Sequence, residues 1–221
     1  VGPRIENYYM LASAPSIYRP ITKQFALGGN GSAYGSSTSP GFGAAWTQSV
    51  DDPSEARFAI SGNYTAKEGD HAATGKGWGG ENAKGFFLTK VEYGSPSWQV
   101  SAAMAKKTAP TTATNGYDGY FHSAAAKGTK GNLTAYALRG YWKPDTTGAI
   151  PEVQLGYDVS SIDDAPNGFA DEASGWMVGL GWKDLLIDGN RAGLAFGSRV
   201  SATSIVGGGS DPSEDNSVWE A

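Results

Sequence analysis

The stretch SGWMVGLGWKDLLIDGNRAGLAFGSRV, residues 174–200, places Trp176, Val178, Leu180 and Trp182 two apart, with Met177, Gly179 and Gly181 between them. Successive side chains of a strand leave opposite faces, so this stretch builds a strand with one bulky apolar face and one that is almost bare. The same sorting recurs along the chain. Phe58, Ile60, Gly62 and Tyr64 form one such face, and Phe87, Thr89, Val91 and Tyr93 another. Further sets are Trp98, Val100, Ala102 and Met104; Tyr136, Leu138, Gly140 and Trp142; Val153, Leu155, Tyr157 and Val159; and Leu194, Phe196, Ser198 and Val200. None of these sets contains a charge. The alternate positions carry Arg57, Ser61, Asn63, Lys90, Glu92, Gln99, Ser101, Arg139, Asp158, Lys183, Arg191 and Arg199, separated by Ala and Gly. Phe86 and Leu88 depart from the sorting, because they fall on the polar side beside Lys90 and Glu92.

A period of two over such runs is the mark of half-buried strands. It predicts strands over 42–49, 57–66, 86–93, 97–106, 132–142, 152–160, 175–183 and 191–200, and one that begins near Ser217. Helical periodicity is confined to PITKQFALGG, residues 20–29, which reads as a short helix or turn. The connections alternate in character. VDDPSEA, GSP, KPDTTGAIP and DLLIDGN are short, whereas the segments 67–84, 107–131, 161–173 and 202–216 are long and polar. This describes an antiparallel up-and-down meander with two unlike ends, as in outer-membrane barrels with tight periplasmic turns and long external loops.

The length of most of these runs matches the roughly 9–11 tilted residues that cross a bilayer's hydrocarbon layer. A charge at mid-bilayer costs about 2–4 kcal/mol on the lipid face, so a membrane barrel must sort its in-strand charges to one side. Tyr64, Tyr93, Trp98, Trp142, Tyr157, Trp176 and Trp182 lie at or near strand ends, where amphipathic rings anchor at a bilayer interface. The thin Gly, Ala and Ser face suits a lumen that stays open or holds an inserted segment. The expected fold class is therefore all-β, an antiparallel transmembrane β-barrel. A soluble β-sandwich glycan-binding module or adhesin is the alternative, and it predicts a chain that folds in water without detergent.

Composition narrows the function classes. Charged residues make up 18% of the 221, below the roughly 25% usual for soluble domains. The net charge of -5, with no stripe of interleaved bases and aromatics, argues against nucleic acid as a partner. The chain has no cysteine, which removes disulfides, thiolate zinc sites and thiol nucleophiles together. No run of 18 apolar residues predicts a transmembrane helix, a statement that does not bear on barrels. The start, VGPRIENYYM, lacks the basic and apolar regions of a signal peptide, and both ends read as interior points of a longer protein.

The sharper motifs weaken when weighed. GKGWGG (75–80) is not followed by the Lys-Ser/Thr pair of a phosphate loop and has no strand-loop-helix setting, so it reads as an external loop. His71 and His122 stand in different loops without zinc spacing. Asp163, Asp164, Asn167, Asp171 and Glu172 crowd one segment, but their spacing misses the calcium-loop pattern, so a solvated acidic loop is expected. DPSE occurs at 52–55 and again at 211–214, and reads as a recurring turn at strand entry. No nucleophile, base and acid set stands out. The expectation is no enzyme, no cofactor and no metal.

Several blocks bear a likeness to a known family: GPRIENYYML, PSIYRPITKQFALGGNG, PGFGAAWTQSVDDPSEARFAISGNY, FLTKVEYGSPSWQVSAAM, ALRGYW and DGNRAGLAFG. In these the chain resembles the cyanobacterial outer-membrane porins that join an N-terminal S-layer-homology domain to an OprB-like barrel, some of them described as iron-uptake porins. The resemblance implies a homotrimeric passive channel, with about half of a probable sixteen-strand barrel present here. Small hydrophilic solutes and inorganic ions, iron among them, would cross it, so ion and carbohydrate transport are both implied. It implies outer-membrane lipid as surroundings, and contact with peptidoglycan or another cell-wall polymer through an S-layer-homology domain outside this chain. It also implies that residues 1–41 form an inserted constriction segment and that 42–221 supply barrel strands. Arg4, Glu6, Arg19 and Lys23 would then line the narrowest point, with Arg57, Lys90, Glu92, Arg139, Asp158, Lys183, Arg191 and Arg199 lining the pore wall. Bases outnumber acids on that wall, which predicts a mild anion preference. The long loops would be the landing place for a phage or another surface ligand.

Overall fold

The computed structural model describes residues 2–3, 40–67, 84–108, 132–146, 148–208 and 217–220. Among the described residues there is no helix, and ten strands form one sheet: β1 (Gly2–Pro3), β2 (Pro40–Thr47), β3 (Arg57–Lys67), β4 (Lys84–Ser95), β5 (Trp98–Thr108), β6 (Asn132–Trp142), β7 (Glu152–Asp163), β8 (Ala170–Lys183), β9 (Arg191–Ile205) and β10 (Ser217–Glu220). Every neighbouring pair is antiparallel, and the spatial order is the chain order. This is the expected meander. The two-residue β1, which the alternation did not reveal, pairs Gly2 with Gly41 and Pro3 with Pro40. The predicted turn or helix at 20–29 lies outside the described residues.

Four short connections, 48–56, 96–97, 143–151 and 184–190, lie at one end of the sheet. The first is closed by the earlier DPSE motif. Glu55 donates its N–H to the Asp52 carbonyl oxygen at 3.0 Å, while the Ser54 N–H and hydroxyl both donate to Asp52 Oδ1 at 2.8 Å. Those two donors hold the Asp52 carboxyl below its ordinary range. At the other end, two connections are shorter than expected: β9 runs to Ile205, into the segment 202–216, and the larger change is in 161–173. The segment 161–173 is mostly strand: β7 continues to Asp163, β8 begins at Ala170, and only 164–169 turns. The polar run was misleading because Ser160, Ile162, Ala170 and Ala173 keep the inner face buried while Ser161, Asp163 and Glu172 lie outside it.

Burial in this sheet runs against the usual order. The face with the large apolar residues is the exposed one: Leu138 is 57% exposed and Trp46 is 56%. The opposite face, which carries the charges, is buried, with Lys90 and Glu92 each 2% exposed and Arg139 4%. On the exposed face, aromatics sit six residues apart on four strands: Phe58 and Tyr64, Phe87 and Tyr93, Tyr136 and Trp142, Trp176 and Trp182. Between them stand Ile60, Val91, Leu138, Val178 and Leu180. Cross-strand register gathers the rings into rows. Phe42, Tyr64 and Phe87 are opposite one another in turn, and Trp98 faces Trp142. Neighbouring rings meet at 6.0 Å for Phe42 and Tyr64, 6.3 Å for Trp46 and Phe58, and 5.6 Å for Tyr93 and Trp98, within the range of favourable aromatic pairs.

The buried face has two zones. Towards the long-loop end lies an apolar cluster of Phe86, Leu88, Ala103, Ala105, Leu133, Ala135, Ala137, Ile162, Ala170, Ala173 and Ala202. This accounts for Phe86 and Leu88, which belong to the buried cluster. Towards the short-turn end the same face becomes polar.

Candidate functional site

The polar zone is assembled by register, one cross-strand row at a time. Ala59, Glu92, Ser101, Arg139, Gly156 and Met177 stand in one row. Ser61, Lys90, Ala103, Ala137, Asp158 and Gly175 stand in the next. Two ion pairs link these rows. Lys90 Nζ lies 2.9 Å from Glu92 Oε1, two residues along the same face of β4. Arg139 Nη2 donates to Asp158 Oδ2 at 2.6 Å, diagonally from β6 to β7. Arg139 Nη1 donates to the carbonyl oxygens of Leu138 and Tyr157 at 2.9 and 3.2 Å. The guanidinium is therefore fixed by three groups and lies flat along the sheet.

Gly156 makes that posture available. It is directly opposite Arg139, and a Cβ placed there would stand 2.9 Å from Met177 Cγ and 3.2 Å from Arg139 Cδ and Cζ. Gly156→Val should push the guanidinium off Asp158 and cost about 1–3 kcal/mol, the usual price of overpacking a filled site. Denaturant midpoints of the two proteins measure this, and a difference under about 0.5 kcal/mol would mean that Arg139 has room to move aside.

The rest of the zone is polar and closely packed. Gln99, Ser101, Glu152, Gln154 and Ser160 are all buried. The Tyr141 hydroxyl lies 3.2 Å from the carbonyl oxygen of Ser95, to which it donates. On β3, Ser61, Asn63 and Thr65 form a buried ladder, in which the Asn63 amide and the Thr65 hydroxyl have no hydrogen-bond partner. At the far, long-loop end of β5, past the apolar cluster, the buried Lys107 ammonium is 5.4 Å from the centre of the Phe86 ring, a cation–π contact.

The residues proposed from sequence for the pore wall separate into two groups. Lys90, Glu92, Arg139 and Asp158 are brought together in the buried zone. Arg57, Lys183 and Arg191 share the same face but stand at its short-turn margin, where Lys183 and Arg191 are exposed. Lys183 approaches Asp184 at 4.0 Å. Arg199 lies on β9, close to an irregularity in the β8–β9 register. Arg4, Glu6, Arg19 and Lys23 lie outside the described residues, as do GKGWGG, His71 and His122. Of the interface aromatics, Tyr93, Trp98, Trp142, Tyr157 and Trp176 are exposed, and Tyr64 and Trp182 are half-buried. Among the described residues no three carboxylate or histidine groups converge as metal ligands.

Pairing revises the charge count of the wall. Lys90 is offset by Glu92 and Arg139 by Asp158, the buried Glu152 adds a further acid, and the remaining bases of the wall, Arg57, Lys183 and Arg191, stand at the margin. Alternation alone could not reveal the Arg139–Asp158 pair, because it assigns a face and does not set register between strands. Gly156 was equally hidden, since a strand glycine acquires meaning only from the residue opposite it. No family model matches the sequence, and no curated protein or solved structure matches it either.

Proposed function

We propose that this chain forms part of the wall of an outer-membrane β-barrel channel, a porin through which small hydrophilic solutes and inorganic ions diffuse. The observation that carries the reading is the inverted burial: Leu138 and Trp46 are exposed while Lys90, Glu92 and Arg139 are covered. A sheet in water buries its apolar face, whereas a sheet in lipid turns that face outward and satisfies its polar groups within. The aromatic spacing is compatible with the same reading. Six residues span about 20 Å along a strand at ~3.3 Å each, or about 15 Å of depth at the tilt of barrel strands, which fits both aromatic rows within an apolar band of about 25 Å.

A soluble glycan-binding sandwich needs a second layer over the apolar face, and the described strands form a single sheet with that face exposed. In the porin reading, the buried pairs act on a permeating ion through their field, and the margin of Arg57, Lys183 and Arg191 meets it directly. The resemblance of several sequence blocks to the cyanobacterial S-layer-homology porins points the same way, and implies a trimer with further strands and an anchoring domain.

Conductance of the full-length protein in a planar bilayer tests the proposal. Discrete steps are expected, with anion preference in a salt gradient. If steps change in size or selectivity when Arg19 and Lys23 are neutralised together, the constriction lies in residues 1–41; unchanged steps place it elsewhere. A protein that gives no steps and folds in water without detergent would be the binding module instead.

A further inference from the structure

The turn at residues 184–190 is built to be stiff. Asp184 (φ 58°) and Gly189 (φ 85°) both adopt left-handed backbone. Asp184 donates its N–H to the Asn190 carbonyl oxygen at 3.0 Å, and Asn190 donates to that of Ile187 at 3.1 Å. Two side chains complete the closure: Gly189 donates its N–H to Asp184 Oδ1 at 2.6 Å, and Leu185 donates to Asn190 Oδ1 at 2.9 Å. A turn tied in this way holds its tip in place, and the tip is aliphatic. Leu186 is 86% exposed and Ile187 is 71% exposed. Local bonding satisfies the backbone and leaves both side chains without protein cover.

The adjacent turn at 143–151 leans on the same strand end. Gly148 donates its N–H to the Lys183 carbonyl oxygen at 2.9 Å, and Trp182 Nε1 donates to the Ala149 carbonyl oxygen at 3.1 Å. Trp182 belongs to the apolar outer face of β8, so its indole draws this turn, with the exposed Ile150, to the outer side of the sheet. Trp142 ends β6 on that face as well. The turn at 143–151 therefore continues the apolar outer face past its last tryptophans, and the aliphatic tip at 184–190 stands beside it at the same strand end.

We propose that the turns at 143–151 and 184–190 are lipid anchors, with Ile150, Leu186 and Ile187 seated at the boundary between headgroups and acyl chains, where they set the depth of the sheet. The proposal rests on the membrane reading and adds a specific lipid contact to it. Apolar groups on an otherwise polar segment gain by entering that boundary to a depth of about 5–10 Å. Tryptophan marks the same level, and Trp142 and Trp182 lie at the foot of these two turns. Continuity with the apolar outer face favours lipid over a protein as the occupant.

The absence of cysteine gives a clean test. Ile187→Cys and, as control, Glu55→Cys in the exposed turn 48–56 at the same end are each labelled with an environment-sensitive fluorophore. The full chain is then reconstituted into phosphatidylcholine–phosphatidylglycerol vesicles that carry nitroxide lipid. The expected result is a blue-shifted label at 187, quenched at least about twofold more by a nitroxide near the top of the acyl chain than the label at 55. Equal, water-like emission at both positions in a protein whose strands have inserted, as protease protection reports, would overturn the anchor and leave the membrane reading intact. A blue-shifted label that lipid nitroxides do not quench would also overturn it, in favour of a protein partner. Failure of the strands to insert would overturn both.

Discussion

Leu138→Arg should cost about 2–4 kcal/mol of folding stability in a lipid bilayer, because it places a guanidinium near the middle of the apolar band. Leu138 lies on the exposed face of β6 between Tyr136 and Trp142, opposite Ala102 on β5 and Tyr157 on β7. No acid stands on that face nearby to pair with an incoming cation. At 1.4 kcal/mol per tenfold change, this amounts to roughly 30- to 700-fold in the folding equilibrium. The same substitution on a sheet surrounded by water would fall within about ±0.5 kcal/mol, since an exposed leucine there does no packing. Urea titration of folding into vesicles measures the difference. A cost below about 0.5 kcal/mol would show that Leu138 faces water and would sink the membrane reading.

The same residues show how far the sequence could be read. The face assignments follow from alternation with almost no structural help, because a one-residue error would move every side chain to the other face. Where the alternation was strong, as in Asn132–Trp142, the strand limits agree as well. It faded where strands run beyond the aromatic rows. There Ser161, Asp163 and Glu172 occupy outward positions outside the apolar band, and polar residues in an extended strand look like loop. Phe86 and Leu88 seemed to contradict the pattern because the inner face was expected to be polar throughout. Its apolar half becomes visible only when Leu133, Ile162 and the alanines of four strands are brought beside them. The stiff aliphatic tip at Leu186 and Ile187 did carry a signal, since Asp184 and the Gly189–Asn190 pair are strong turn formers. What the sequence lacked was their exposure.

The second large effect concerns the buried pair. Arg139→Ala should cost about 3–5 kcal/mol, because it removes the cation and leaves the Asp158 carboxylate covered and uncompensated. Its two backbone acceptors on Leu138 and Tyr157 would also lose a donor. Replacing both partners, Arg139→Met with Asp158→Leu, should cost clearly less than the single change, because two charges then no longer need to be desolvated. This ordering separates two descriptions of the inner face. If Arg139 and Asp158 stood in open lumen water, the pair would be worth only about 0–1 kcal/mol, and the single and double variants would differ little. If the face is packed as the burial indicates, the single variant is the worst of the set and the double variant recovers most of the loss. Denaturant unfolding of the wild-type, single and double variants in one lipid gives the coupling free energy directly. A coupling near zero would mean that solvent reaches the pair, and the inner face at this level would then be an open wall of the channel and not a filled one.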